Sequence, residues 1–434
     1  MGQGQGPRIY NLFPLLCGSV PQWEEHLPRI ADMGFNWIYL NPFHYPGFSG
    51  SLYAVKDYYR IHDRMWDGSD RGLRELLSAF TWRAGELGLS VIMDLVINHT
   101  SKDAVLAEQH PDWFMHEADG SLHSPRAIDP ADSRKVTVWG DLAEIEYRNP
   151  STRAAMTSYW GELIGFAIDC GIRGFRCDAA YQVPAEVWSH LTRFARFKRK
   201  DAAFFAETLG CRLEQVEALR SAGFDYLFNS AKWWDFKSPW LLEQYESFRR
   251  IAPSVAFPES HDTDRLAHEL EALGHPADPG RIERLYRQRY LFATVFSTGV
   301  MMPVGYEYGF RRKLNVVTTT SADWETPLFD ISGYVSAVNR MKAEHPVFNE
   351  EGPTRHIPLA DAKVTGLLRT TRNGGFALTL INTDPDRTHG ARLEQLGAEV
   401  GTCREITPDR EPQTVSVGDM VMLSPSEARV FVNM

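Results

Sequence analysis

At 434 residues with 43% hydrophobic content, the chain can bury a large core, which points to one large domain with a smaller appendage and excludes a short binding module. A formal net charge of -10 offers no basic field to nucleic acid or an anionic membrane surface, and no apolar run reaches the ~18 residues of a membrane helix. Five cysteines without CxxC spacing argue against a disulfide framework or a zinc site; with a Gly/Gln-rich start that lacks an apolar signal core, they lead us to expect a cytoplasmic protein.

From Ile9 to about Pro346, short apolar runs alternate with amphipathic helical stretches, the pattern of successive βα units. Ile9–Pro14 is the first expected strand, followed by a helix over Trp23–Met33, where Trp23, Leu27, Ile30 and Met33 recur at helical spacing. Asn36–Pro42 is the second, and a helix over Gly72–Leu87 leads to the third, Ser90–Val96. About 75 residues then separate the third strand from the fourth, more than a βα connection needs, so 101–150 is expected to form a short excursion shaping the cleft, with a turn at Glu117–Ser121. The fourth to eighth strands are expected at Gly174–Asp178, Ala203–Glu207, Phe224–Phe228, Ser254–Glu259 and Gly299–Val304. Eight such strands predict an α/β fold, a (β/α)8 TIM barrel over 1–350. Beyond His345-Pro346 the pattern changes to short strands, Val364–Arg369, Gly375–Asn382 and Ala428–Val432, which predict a C-terminal antiparallel β domain over 351–434.

Three of these strand ends carry acids. Asp178 closes Gly-Phe-Arg-Cys, with Arg176 two residues earlier on the same strand face, where a guanidinium would hold the carboxylate ionised for nucleophilic work; a buried Arg–Asp staple is the structural alternative. Glu207 ends the apolar run from Ala202, so desolvation would raise its pKa towards that of a general acid, although a Glu opening a helix fits the same pattern. Asp262 sits in the polar cluster Glu259–Arg265 and is placed to stabilise a cationic transition state with His261 nearby; the alternative is a cap by Ser260, Thr263 or Asp264 on a helix over Asp264–Leu273. Asp94–Thr100 ends the third strand with polar groups, among them His99, suited to a sugar hydroxyl, and Asn98, which could ligate calcium or brace a loop. Two carboxyl groups delivered by neighbouring barrel strands are what a retaining glycosidase requires.

Taken in order, Asp94–His99, Gly174–Asp178, Phe205–Glu207 and Ser260–Asp262 resemble the four signature regions of the α-amylase superfamily of retaining α-glucan hydrolases and transferases. The resemblance implies Asp178 as nucleophile, Glu207 as general acid/base and Asp262 as transition-state stabiliser. It further implies Arg176 orienting the nucleophile, His99 and His261 contacting the sugar, Tyr53 stacking on it and Asp57 supporting the site. Gly305-Tyr306-Glu307 looks like the family's Gly-x-Glu, and Asp141-Leu142 is similar to a fifth, looser region. Where many starch-cleaving members have Lys-His after the nucleophile, this chain has Tyr181-Gln182, which alters the leaving-group side.

Phe175–Asp178 followed by Pro184, the run Ala231–Phe236 and His345-Pro346 look like the maltosyltransferase branch, which elongates glucans from a maltosyl donor. Trp139, Trp233 and Trp234 are candidates for stacking on glucosyl units or for ordinary packing. The expected activity is α-1,4-glucan cleavage through a glycosyl-aspartate, as an amylase-like hydrolase first and as a maltosyl or glucan transferase second, acting on an α-glucan or maltooligosaccharide. A non-catalytic barrel is the rival from another class, and the presence of all three acids weighs against it. No cofactor is expected, with calcium possible only through Asn98.

Overall fold

Eight short parallel strands close on themselves: β1 (Arg8–Leu12), β2 (Trp37–Leu40), β3 (Ser90–Leu95), β4 (Gly174–Cys177), β5 (Ala203–Ala206), β6 (Tyr226–Phe228), β7 (Ser254–Ala256) and β8 (Gly299–Pro303), which pairs back onto β1. The computed structural model describes residues 5–128, 134, 136–272, 278–393 and 401–433. Every barrel strand overlaps the run expected for it, because strands covered on both faces must be apolar along nearly their whole length. The first long helix, Val20–Asp32, starts earlier than its apolar spacing suggests. The Ser19 N–H donates to Gln22 Oε1 at 2.8 Å, and Pro21 occupies the first turn, where a missing N–H costs nothing.

The barrel interior is filled by alternate side chains, among them Ile9, Trp37, Ile92, Phe205, Phe228, Val255 and Met301. Gly174 belongs to this layer because a Cβ there would lie 2.7 Å from Ile92 and 2.9 Å from Trp37, so a larger residue would force the wall apart. Above it, the same alternation turns Tyr39, Asp94 and Arg176 towards the mouth.

The excursion is tied to the barrel mouth where His99–Ser101 pairs antiparallel with Leu142–Glu144. A second small ladder joins Arg126–Ile128 to Val136–Val138, and the expected turn closes with Glu117 N–H donating to Ser121 O at 2.8 Å.

The C-terminal sheet is antiparallel. Its strands β9 (Thr354–Ile357), β10 (Val364–Thr370), β11 (Phe376–Asn382), β12 (Thr402–Glu405), β13 (Thr414–Ser416) and β14 (Ala428–Asn433) lie in the order β9-β10-β11-β14-β12-β13. The buried Arg369 of β10 joins it to the barrel, its Nη1 donating to Phe296 O at 2.7 Å. On the barrel side of the junction the buried Lys342 Nζ donates to the carbonyls of Thr294, Ser297 and Phe348 at 2.7–2.9 Å. Trp234 packs against Phe236 and Phe292 on the barrel side and against His356 of the sheet, so it belongs to the domain junction and not to a sugar subsite.

Candidate active site

Strand register brings the acids together. Arg176 on β4 stands opposite Asp94 on β3, while Cys177 stands opposite Ala206 on β5, so the residues that follow, Asp178 and Glu207, leave adjacent strands at one level. Arg176 Nη1 bridges two carboxylates, at 3.0 Å from Asp94 Oδ1 and 2.6 Å from Asp178 Oδ1. Asp94 is fully buried and also accepts from Tyr39 Oη at 2.6 Å and Tyr53 Oη at 2.8 Å. Burial pushes the Asp94 carboxyl above its usual range against the pull of Arg176. Asp94 therefore fixes Arg176, and Arg176 fixes Asp178. The Arg–Asp staple and the orienting guanidinium, posed as alternatives by the sequence, are the same side chain.

After Asp178 the chain turns sharply through Ala179, which adopts a left-handed conformation (φ 39°, ψ 49°) rare outside glycine. The turn aims the Ala179 N–H at Glu207 Oε2, 2.9 Å away, while Leu209 N–H donates to Oε1 at 2.6 Å. These bonds hold the Glu207 carboxyl in place beside Asp178. Its pKa is raised from 4.5 to about 7, first by burial, against the pull of Arg176, and further by the negative charge of Asp178.

Asp262 is the most open of the three acids, with its side chain 57% exposed. Desolvation by the surrounding cleft opposes its charge, but His261, 3.0 Å away, together with Arg176 and Lys313 outweighs this and holds the carboxyl at about 2. His261 is buried behind Asp262, its Nε2 also 2.7 Å from Tyr53 Oη and its ring stacked on Tyr53 with an interplanar angle of 7°. His261 thus reaches the cleft through Asp262 and Tyr53. His99 does line the cleft, with Nε2 3.2 Å from Tyr53 O, and burial lowers its pKa so that the neutral ring is favoured.

Two expectations need correction. Asp57 does not support the site: it accepts from the Tyr59 N–H at 2.9 Å, and its charge is felt by Tyr59 and Tyr159, on the side facing the helix Pro150–Asp169. The supporting carboxylate is Asp94, whose position opposite Arg176 was the available clue. The helix after the third acid is capped by none of Ser260, Thr263 and Asp264. Glu259, fully buried and 2.6 Å from Arg265, accepts from the Leu266 N–H at 2.8 Å; the far end expected for that helix, Leu273, lies outside the described residues. Glu307 of the Gly-x-Glu run is likewise a brace, bonded to Tyr10 Oη and Arg29 at 2.6 Å each.

The cleft holds about 560 Å³ and is lined by Asp178, Glu207 and Asp262 together with Tyr53, Trp139 and Trp233. Trp139 and Trp233 remain half open, as platforms for a ring, and Asp141 of the excursion also borders the space. Calcium takes six to eight oxygens, carboxylates prominent among them. Asn98 donates through Nδ2 to Gln182 Oε1 at 3.0 Å and keeps its Oδ1 buried without a hydrogen-bond partner, and among the described residues no group of three or more His, Cys, Asp or Glu could hold a metal.

Sequence and structure comparisons bear on this arrangement. A family model of the glucanotransferase domain of glycogen debranching enzyme matches residues 8–123. The chain is 28% identical over 403 residues to an α-1,4-glucan:maltose-1-phosphate maltosyltransferase of Burkholderia pseudomallei, covering 91% of this chain and 34% of that one. With the protein of the same name from Salinibacter ruber it shares 27% identity over 413 residues, covering 85% and 57%. It thus spans about a third to somewhat over half the length of these relatives. Among solved structures, a maltogenic α-amylase of Thermotoga neapolitana superimposes with a TM-score of 0.76 at 22% identity, covering 99% of this chain and 98% of that one. An acarbose-bound α-amylase of Geobacillus thermoleovorans does so at 0.76 and 17%, covering 100% and 99%. The relatives along most of its length and the family model over residues 8–123 give this chain a likeness to the α-amylase superfamily near its maltosyltransferase branch, and the solved amylases share its closed barrel with a C-terminal β domain.

Proposed function

We propose that the protein is a retaining α-glucan transglycosylase that forms a glycosyl ester on Asp178 and passes the glycosyl group to a second sugar. The observation that carries the chemistry is the contrast between neighbouring acids: Asp178 is clamped by Arg176, whereas Glu207 beside it has a pKa raised to about 7. In the first half-reaction Asp178 attacks the anomeric carbon and Glu207 gives its proton to the departing oxygen. Esterification neutralises Asp178 and so removes one cause of the raised pKa, leaving Glu207 a better match for the ionised state in which it accepts the acceptor's proton. Asp262, ionised well below neutrality, faces the positive charge that develops at the sugar ring in both steps.

From the sequence, hydrolysis stands first and transfer second; the relatives reverse that order, since those matching most of the chain are named maltosyltransferases. Their names favour a maltosyl donor and an α-1,4-glucan acceptor for this chain as well. Incubation with maltooligosaccharides, with and without maltose 1-phosphate, followed by sizing of the products, tests the reading. Longer glucans are expected alongside shorter ones; free maltose or glucose as the sole products would overturn transfer in favour of hydrolysis, and unchanged substrate throughout would overturn both.

A further inference from the structure

A groove of about 810 Å³ lies between the barrel and the C-terminal domain and shares no lining residue with the catalytic cleft. One wall is a face of the helix Ser332–Glu344, where Ala337, Arg340, Met341 and Glu344 recur at helical spacing. The other is Arg404 of β12 with the segment that follows it and the end of β14. Buried Met341 and Val432 give the groove an apolar base. Its size is that of a small-molecule site, about 300–1,000 Å³. Most of its charges are already committed. Glu405 accepts from Arg429 Nε and Thr407 Oγ1 at 2.8 Å each, Asp409 pairs with Arg287 at 2.9 Å, and Arg410 pairs with Glu427. Arg340 and Arg404, one from each wall, are exposed, and among the described residues neither guanidinium has a hydrogen-bond or ion-pair partner. Glu344 is the one lining acid left in the same condition, so the groove keeps a positive surplus on a chain whose net charge is -10.

We infer that this groove is a second, non-catalytic ligand site that takes a phosphorylated sugar, with Arg340 and Arg404 sharing the phosphate and the sugar ring lying over Met341 and Val432. A guanidinium presents its N–H donors as a planar fork that matches two phosphate oxygens, and two such forks from opposite walls converge on one anion. The apolar base suits the C–H face of a sugar ring, while Glu344 and Asn433 offer partners to its hydroxyl groups. The end of a helix would repel an anion through its free carbonyls, but the Met341 carbonyl accepts from His345 Nδ1 at 2.8 Å and is covered. A ligand held in this way touches both domains, so its binding would stabilise their junction. The site stands on residues apart from the cleft and does not depend on the transferase reading.

The full chain is titrated calorimetrically with glucose 6-phosphate, inorganic phosphate and glucose, as the wild type and as the double variants Arg340→Ala/Arg404→Ala and Arg340→Lys/Arg404→Lys. Both arginines are exposed, so folding, checked by circular dichroism, and turnover of maltooligosaccharides are expected to be unchanged in the variants. The expected result is saturable binding of glucose 6-phosphate to the wild type, weakened about tenfold or more in the alanine variant and less in the lysine variant, which keeps the charge and loses the fork. Inorganic phosphate is expected to bind more weakly than the sugar phosphate, and glucose to bind the wild type and the variants alike. Equal affinity for glucose 6-phosphate in the wild type and the alanine variant, or no saturable binding of either phosphate at millimolar concentration, would overturn the site. Inorganic phosphate binding as tightly as glucose 6-phosphate would overturn the sugar phosphate as its ligand.

Discussion

Replacing Glu207 by Gln removes the proposed acid and at the same time fixes the side chain in its neutral form, so it reports on burial as well as chemistry. The folded pKa of about 7 lies above the ordinary 4.5, which means that the fold favours the protonated carboxyl. The stability gained is fully present below about pH 4.5 and is lost as the pH rises through about 7. At ~1.4 kcal/mol per pKa unit, ionised Glu207 destabilises the wild type by about 3 kcal/mol at alkaline pH relative to acid. The substituted amide cannot ionise and escapes that loss. The substitution has its own cost, because Gln offers one acceptor oxygen to the two N–H groups of Ala179 and Leu209; an unmet buried donor costs about 1–3 kcal/mol, independent of pH. The informative quantity is therefore the slope, not the offset. Urea unfolding of both proteins, followed by tryptophan fluorescence between about pH 4.5 and 8.5, is expected to show the variant gaining on the wild type by about 3 kcal/mol across that range. Its turnover should fall by about 10²–10⁴-fold, and the wild-type kcat/KM should decline above a pKa near 7. Parallel stability profiles would refute the idea that Glu207 is desolvated, and an unaltered basic limb in the variant would refute its role as the acid.

Asp178→Asn is expected to lower turnover on the order of 10⁴-fold while leaving glucan binding in place, measured by steady-state kinetics and calorimetry. Asp94→Ala leaves the Arg176 guanidinium buried with one partner fewer and should cost about 3–5 kcal/mol in urea unfolding, with activity falling as Asp178 loses its brace. The adjacent tryptophans should separate cleanly: Trp234→Ala, buried at the domain junction, is expected to lose about 3–5 kcal/mol of stability. Trp233→Ala, half open at the cleft, should keep its stability and weaken maltooligosaccharide binding by about three- to tenfold. Equal stability losses in the two variants would contradict the placement of Trp233 at the cleft.

The sequence by itself determined the eight strands and which acids stand at their ends, because a parallel strand covered on both faces must be apolar until it reaches the mouth, and the first acid after such a run marks its end. Asp178 and Glu207 were legible for that reason. Only the tertiary structure decided which carboxylate supports which. Asp94 sits within the expected third strand and Asp57, after Lys56, outside the expected barrel strands, but which of them meets Arg176 is a matter of register: β3 against β4 places Asp94 opposite Arg176, while Asp57 faces a helix. The same holds for Trp233 and Trp234, adjacent in sequence, one open to the cleft and the other sealed in the domain junction. Strand formation follows from local composition, but a salt bridge or a cleft wall depends on which strands and loops the barrel sets side by side, and that is fixed only when the chain closes.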